Sequence, residues 1–294
     1  MASLAPEGAA PMTPAGTRRA PIAWRIALHG LVVALCALTV FPLLWMLSTS
    51  FKIPTEVFTK DIRLLPTRPT VENFPDAFRY FPVAQWFWNS FFITVVTTLA
   101  RLAVTIPAAF AFARLRFRGS TILFAMVLGT MIVPGVVTYV PNYVLISRLG
   151  WINTSWGVIV PSIAHTAFYV FLLRQYIRTL PEEILDAAKV DGATTWKILW
   201  QIVLPNLRPA IAVVTILSFL GGWNQYIWPL LVLNDLDAKT LAVGMQYFSS
   251  NAESAQLWGP MMAAASLATL PPLIIYAVAQ KQIISTFVTS GLKG

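Results

Sequence analysis

Six long apolar runs dominate this chain and leave it few ways to fold. They cover residues 26–47, 89–111, 121–140, 156–173, 210–233 and 261–279. Each is near the roughly 20 residues that an α-helix needs to cross a bilayer. Only 11% of the residues are charged, whereas soluble domains carry about 25%. The sequence therefore predicts an all-α membrane protein with six transmembrane helices.

The distribution of basic residues predicts how the chain is oriented. An even number of spans places both ends on the same side of the membrane. With both ends inside, thirteen Lys and Arg residues lie on the inner side and seven on the outer side. Basic residues collect in cytoplasmic loops, so we predict cytoplasmic termini. Residues 1–22, rich in Ala, Pro, Gly and Thr, are predicted to form a disordered cytoplasmic tail.

One polar stretch between two spans, residues 178–209, has the pattern of two short helices joined by a tight turn. Pro181 suits the first turn of the first helix. Gly192 stands where a left-handed C-terminal cap is expected, and Thr194 or Thr195 can cap the second helix. The stretch carries too many charges to be buried in lipid. This hairpin is therefore predicted to face water or a protein partner.

The residue spacing in the hairpin resembles the EAA loop, whose pattern is E-A-A, three residues, G, nine residues and I-x-L-P. Here Asp186-Ala187-Ala188 precedes Gly192, and Ile202-x-Leu204-Pro205 follows, so that Asp stands in place of the family's Glu. That loop marks the membrane-spanning subunits of binding-protein-dependent ABC importers. The resemblance implies the type I ABC importer permease fold for residues 23–294.

The resemblance also implies a working assembly in a bacterial inner membrane. It consists of a second permease subunit, two ATPase subunits and an extracytoplasmic solute-binding protein. ATP and Mg would be bound by the ATPase subunits and not by this chain. The hairpin would dock in a groove of an ATPase subunit as a coupling helix. The coupling residues implied are Glu182, Glu183, Asp186, Ala187, Ala188, Asp191, Gly192, Leu204 and Pro205.

The fifth span carries polar and aromatic groups that suit a sugar. Amides and hydroxyls bind sugar hydroxyl groups, and an aromatic face covers the C–H side of the ring. The candidate pathway residues are Trp223, Asn224, Gln225 and Tyr226. This run also resembles sugar-importer permeases, which implies a sugar or oligosaccharide cargo. The alternative is that the amides hold helices together while the aromatic rings form an interfacial belt.

Charged residues elsewhere narrow the class of protein. Arg101 is the sole basic residue near the middle of a span, so we expect it to face a partner subunit, a cavity or backbone carbonyls. Arg114, Arg116 and Arg118 are interpreted as a basic turn that anchors the chain on the inner side. The predicted spans contain no Asp or Glu, which argues against a secondary transporter.

Enzyme chemistry is not indicated. The two histidines and the single cysteine form no pattern of metal ligands, and no GxxxxGK[ST] loop is present. A membrane-embedded transferase would need paired carboxylates that the sequence does not supply. An importer permease for another cargo, such as glycerol phosphate or a peptide, is the remaining alternative.

Overall fold

The computed structural model describes residues 22–59, 63–251 and 255–291, and this part of the chain is helical with no strand. Residues 1–21 of the predicted tail lie outside it. The helices are α1 (Ile22–Thr49), α2 (Pro54–Val57), α3 (Asn73–Tyr80), α4 (Val83–Arg114), α5 (Ser120–Gly129), α6 (Tyr139–Arg148), α7 (Ser155–Ile163), α8 (Ala167–Arg178), α9 (Glu182–Val190), α10 (Thr195–Ile198), α11 (Leu204–Asn206), α12 (Arg208–Trp223), α13 (Ile227–Val232), α14 (Leu241–Asn251) and α15 (Ala255–Gly291). Two 3-10 turns (Gly135–Thr138 and Leu236–Ala238) and one π turn (Leu199–Val203) complete the described segments.

Several of these helices are long and apolar enough to cross a membrane. Among the described residues, α1, α4 and the Gln256–Gln280 part of α15 qualify alone. Two pairs qualify jointly: α7 with α8, bent by 44°, and the helical segment Thr195–Asn206 with α12, bent by 79°. By length and composition this gives up to five spans, so the predicted class of all-α membrane protein is confirmed. The count of six stays a prediction.

The third predicted span, residues 121–140, is not one continuous helix. Helix α5 ends at Gly129, and an irregular segment and a 3-10 turn separate it from α6. Pro134 lies in that segment. It lacks an N–H and disfavours the helical conformation of the residue before it, so the helix stops although the run stays apolar. Hydropathy identified the apolar run but not this break.

The chain divides into two compact units, one ending at Trp45 and the other starting at Met46. In the second unit α4 is the central helix, because α7, α8, α12 and α14 all pack against it. Its apolar core forms three clusters. One lies where α4, α8 and α12 meet the hairpin, one joins α3, α12, α14 and α15, and one surrounds α7 and α13.

The third cluster depends on a close approach at Gly157. A Cβ atom there would lie 2.4 Å from the carbonyl oxygen of Trp151 and 2.9 Å from Val232. We expect Gly157→Ala to lower the free energy of unfolding by about 1–3 kcal/mol, because backbone must move to admit the methyl group. Thermal unfolding of the purified protein measures this. Gly221→Ala is the control, since its Cβ would meet nothing within 4 Å, and equal stability of the two variants would contradict the packing described.

Candidate functional site

The hairpin predicted from the sequence is present, and its turn has a defined geometry. Gly192 follows α9 with a φ of 75°. Its N–H donates to the Lys189 carbonyl at 3.0 Å, and the N–H of Ala193 donates to the Ala188 carbonyl at 2.9 Å. This pair of bonds is a Schellman motif, which satisfies the last carbonyl groups of a helix. Thr194 then caps α10 by accepting from the N–H of Lys197 at 3.3 Å.

The hairpin has one face packed on the membrane helices and one face that is exposed in the described part of the chain. The buried side consists of Leu185, Ala188, Ile198, Leu199 and Val203, which join a cluster with α4, α8 and α12. The exposed side includes Ile184, Val190, Trp196 and Trp200, which are 48%, 88%, 61% and 55% exposed. Exposed apolar groups beside charged ones are typical of a surface that binds another protein.

Arg114 fastens the start of the hairpin to the end of α4. Its guanidinium donates to the carbonyl groups of Ile177 and Leu180 and to a carboxylate oxygen of Glu182, the last at 3.2 Å. Sequence reasoning treated Arg114 as a general basic anchor and missed this role. The only sequence signal was its position at the end of a span, facing a hairpin rich in carboxylates.

A cleft of about 610 Å³ lies between the end of α4 and the hairpin, and Arg116, Asp186 and Lys189 line it. Asp186 pairs with Lys189 at 2.8 Å, and both side chains are about two-thirds exposed. The hydrogen bond and charge of Lys189 hold the pKa of Asp186 below its usual value. The carboxylate therefore stays ionised at neutral pH, and the pair is lost only as pH falls through that lowered pKa. Such an exposed pair contributes little stability, so a partner can replace either member.

The other predicted coupling residues occupy defined places on the hairpin. Glu182, Glu183, Ala187 and Asp191 are exposed, as is Pro205, while Leu204 is half-buried. The second helix runs one residue past Pro205 and ends at Asn206, and the chain then bends sharply into α12. The structure thus brings the predicted coupling residues together on one two-helix element.

The candidate pathway residues lie where the fifth predicted span is interrupted. Helix α12 ends at Trp223, and α13 begins at Ile227. Trp223 is 6% exposed, stacks on Phe219 and belongs to the core. Asn224 is exposed and donates to the carbonyl of Leu220 in its own helix at 2.9 Å.

Gln225, unlike Asn224, bonds to a residue of another helix. It accepts a hydrogen bond from the Ser162 hydroxyl at 3.3 Å, which joins two helix interruptions, while Tyr226 beside it is half-buried. In the described residues, no three His, Cys, Asp or Glu side chains come together as metal ligands would.

Arg101 is bound to backbone carbonyl, one of the three environments predicted for it. The fourth predicted span breaks between α7 and α8, where the N–H of Thr166 bonds to Ala164 and not to Ser162 four residues before it. Two guanidinium nitrogens of Arg101 donate to the Ser162 carbonyl, at 2.9 and 2.6 Å. A third donates to the hydroxyl of Ser218 in α12 at 3.2 Å. One buried cation therefore joins α4, α7 and α12.

Comparison with known proteins gives a consistent result. The family described as "Binding-protein-dependent transport system inner membrane component" matches residues 15–285. The maltose/maltodextrin transport system permease protein MalG of Photorhabdus laumondii is 34% identical, over 92% of this chain and 97% of its own length. The sn-glycerol-3-phosphate transport system permease protein UgpE of Brucella melitensis is 30% identical, over 88% and 94%.

A solved structure has the same fold. It is described as a bacterial ABC transporter involved in the import of the acidic polysaccharide alginate. One of its chains matches with a TM-score of 0.81 at 22% identity, over 92% of this chain and 99% of that chain. The predicted fold, that of an ABC importer permease, is thereby confirmed.

The contact of Arg101 leads to a stability prediction. We expect Arg101→Met to lower the free energy of unfolding by roughly 1–3 kcal/mol, because the buried Ser162 carbonyl loses its donors. Arg101→Lys should have a free energy of unfolding between those of Arg101→Met and the unaltered chain, because an ammonium group can donate to the carbonyl but not in the same forked geometry. Thermal unfolding of the purified protein measures both.

Arg148→Met is the control for loss of an Arg charge, since that residue is exposed. It should change the free energy of unfolding by less than about 0.5 kcal/mol. An Arg101→Met protein as stable as the unaltered chain would show that the carbonyl does not need the guanidinium.

Proposed function

Because this chain belongs to the family of binding-protein-dependent transport system inner membrane components, we propose that it forms one half of the translocation pathway of an ATP-driven sugar importer. It works with a second permease subunit, two ATPase subunits and an extracytoplasmic solute-binding protein. The observation that carries this proposal is the hairpin, which packs on the membrane helices by one face and exposes apolar residues on the other.

The hairpin is built to pass a movement from a partner to the membrane helices. Its buried residues contact α4, α8 and α12 together, and Arg114 ties it to the end of α4. A push on α9 is therefore transmitted to three membrane helices through these contacts. ATP and Mg are bound and used in the ATPase subunits, whose closure supplies that push. The cleft beside Asp186 and Lys189 receives side chains of the ATPase subunit.

This role requires a defined orientation in a bacterial inner membrane. The hairpin, within residues 178–209, faces the cytoplasm together with both termini. Residues 23–294 form the transmembrane domain, and residues 1–22 form a cytoplasmic tail. The excess of Lys and Arg on that side supports this arrangement.

The cargo is best explained as a sugar or oligosaccharide. Relatives named for maltose/maltodextrin and for sn-glycerol 3-phosphate match at similar identity, so identity alone does not decide the cargo. Asn224, Gln225 and Tyr226 at the interruption of the fifth span supply amide and hydroxyl groups without a formal charge. An anionic cargo at membrane depth would call for a cation available to pair with it, whereas the guanidinium of nearby Arg101 is bound to Ser162 and Ser218. An importer of glycerol phosphate is the second candidate.

The turn of the hairpin gives a first test. We expect Gly192→Val to reduce ATP-driven uptake far more than Gly150→Val. Both positions have a positive φ, 75° and 70°, and open space around the added Cβ, so both valines should cost about 1–3 kcal/mol of local strain. Only Gly192 lies in the proposed coupling element. Uptake by the reconstituted complex measures the difference, and equal uptake by the two variants would contradict the coupling role.

The composition and cargo of the complex give a second test. Affinity purification of this chain from its own bacterial membranes should retain one second permease and two copies of a P-loop ATPase. The complex with its binding protein should take up maltose or a maltodextrin in preference to sn-glycerol 3-phosphate. Mass spectrometry and radiolabelled uptake measure these.

The possible failures have different meanings. A chain that purifies alone would contradict the ATP-driven importer. A complete complex that takes up only glycerol phosphate would leave the importer standing and replace the cargo.

A further inference from the structure

A cavity of about 580 Å³ lies between two helix interruptions that the sequence analysis did not connect. Residues 130–135 follow α5 and interrupt the third predicted span, and residues 164–166 separate α7 from α8 in the fourth. Both breaks lie near the middle of their predicted spans. Irregular backbone at that depth is tolerated only where it is buried in protein or lines a water-filled cavity. The cavity is lined from both breaks, by Thr130 and Gly135 on one side and Ala164 and His165 on the other.

The break on the α7 side is a maintained feature and not a frayed helix end. The Pro161 carbonyl accepts from the Ala164 N–H at 3.3 Å and from the His165 ring at 3.2 Å. The next carbonyl, of Ser162, is held by Arg101. Because these carbonyl groups have donors in place, the helix can stay interrupted at membrane depth. Interrupted helices are where transporters place their substrate sites.

Two polar side chains in the cavity have hydrogen-bonding capacity that the described part of the chain does not use. A carbonyl oxygen can only accept, so Nδ1 of His165 donates to Pro161, and Nε2 is left to bond a ligand in the cavity. Asn142 is half-buried on the same cavity, and its amide makes no hydrogen bond with the described residues. An amide both donates and accepts. Together the two groups match sugar hydroxyls, each of which also donates and accepts.

The rest of the lining indicates the charge of the ligand. No Lys, Arg, Asp or Glu is among the described residues that border the cavity. The Arg101 guanidinium is committed to Ser162 and Ser218. A phosphate or carboxylate would therefore lose its hydration without gaining a counter-charge, which is unfavourable at this depth. Phe168, Met131 and Val133 instead offer apolar surface for the C–H face of a sugar ring.

We propose that this cavity is a second contact site for the cargo in this subunit, and that it takes a neutral, hydroxyl-bearing part of the sugar through Asn142 and His165. The proposal rests on the proposed function and adds a site that differs from the residues around Gln225. The site acts after the binding protein has delivered the cargo. Its loss therefore lowers the maximal rate of uptake and leaves the concentration for half-maximal uptake unchanged.

The test uses the complete reconstituted transporter with radiolabelled maltose and maltotriose as probes. Asn142→Leu and His165→Ala should each lower maximal uptake on the order of tenfold, because each removes a hydrogen bond to the cargo. His29→Ala is the matched control, since His29 also donates from Nδ1 to the carbonyl four residues earlier, at 2.7 Å, but lies outside the cavity. Gly135→Leu should lower uptake as well, because a Cβ there lies 4.0 Å from Nε2 of His165 and the larger side chain fills the space.

A labelling experiment covers the case in which a variant does not assemble. The chain has a single cysteine, so Cys36→Ser with Val133→Cys places one thiol on the cavity wall. Maltotriose should slow the reaction of that thiol with a small water-soluble thiosulfonate, and sn-glycerol 3-phosphate should not.

The outcomes separate this site from the function that it rests on. A transporter that takes up maltotriose equally well in the Asn142, His165 and His29 variants, with no protection of the thiol, overturns the site alone. Uptake confined to sn-glycerol 3-phosphate overturns the neutral ligand while the importer stands. A complex that takes up none of maltose, maltotriose and sn-glycerol 3-phosphate overturns a maltodextrin cargo and, with it, this site as a contact for maltodextrins.

Discussion

The forked contact between Arg101 and the carbonyl of Ser162 is the interaction on which the membrane part of this structure depends. A bilayer offers no water to a carbonyl group that a broken helix leaves without a partner. Here α4 supplies a charged donor for it from a neighbouring helix. This contact makes tolerable the break at which α8 changes direction, next to Gln225 and beside the cavity around His165.

Helix α4 carries more than this one contact, and the others lie at its two ends. Near its start, the Trp86 ring N–H donates to the carbonyl of Leu236 at 2.7 Å, and Asn89 donates to the carbonyl of Asp237 at 2.8 Å. At its end, Arg114 holds the hairpin. A single helix of 32 residues therefore connects the segment after α13, the break that follows Ser162 and the hairpin. In the proposed transport function, this helix is the part of the chain that would transmit movement from the hairpin to the candidate pathway residues.

The parts of this structure that local rules govern could be predicted from the sequence. Gly192 takes the left-handed conformation that its place after α9 demands, and Arg101 finds a carbonyl because an unpaired cation in a span has few other choices. The breaks could not be read from hydropathy, which measures apolar character and is blind to backbone geometry. Pro134 and Pro161 were the signals available for them.

Contacts between segments that are distant in the sequence could not be predicted from the sequence. Arg114 bonds to Ile177, Leu180 and Glu182, which lie at least 63 positions later in the sequence. These bonds require the packing of α4 on α8. Asn142 was not selected from the sequence as a candidate pathway residue, because it follows the third apolar run. Only the folded structure places it on the same cavity as His165. Trp223 was chosen for its aromatic ring, which the structure packs against Phe219 in the core.

The ion pair of Arg114 and Glu182 joins a buried side chain to an exposed one, and this difference has a consequence for the proposed docking of an ATPase subunit. The Arg114 side chain is 10% exposed and that of Glu182 is 82% exposed. An incoming protein can therefore draw the carboxylate to itself while the guanidinium keeps its two carbonyl partners. In the proposed transport cycle, docking and release would then exchange one solvent-facing contact, while the buried contacts of Arg114 with Ile177 and Leu180 stay in place. Such an exchange would cost only the breaking of an exposed ion pair and would require no helical turn to unfold and refold.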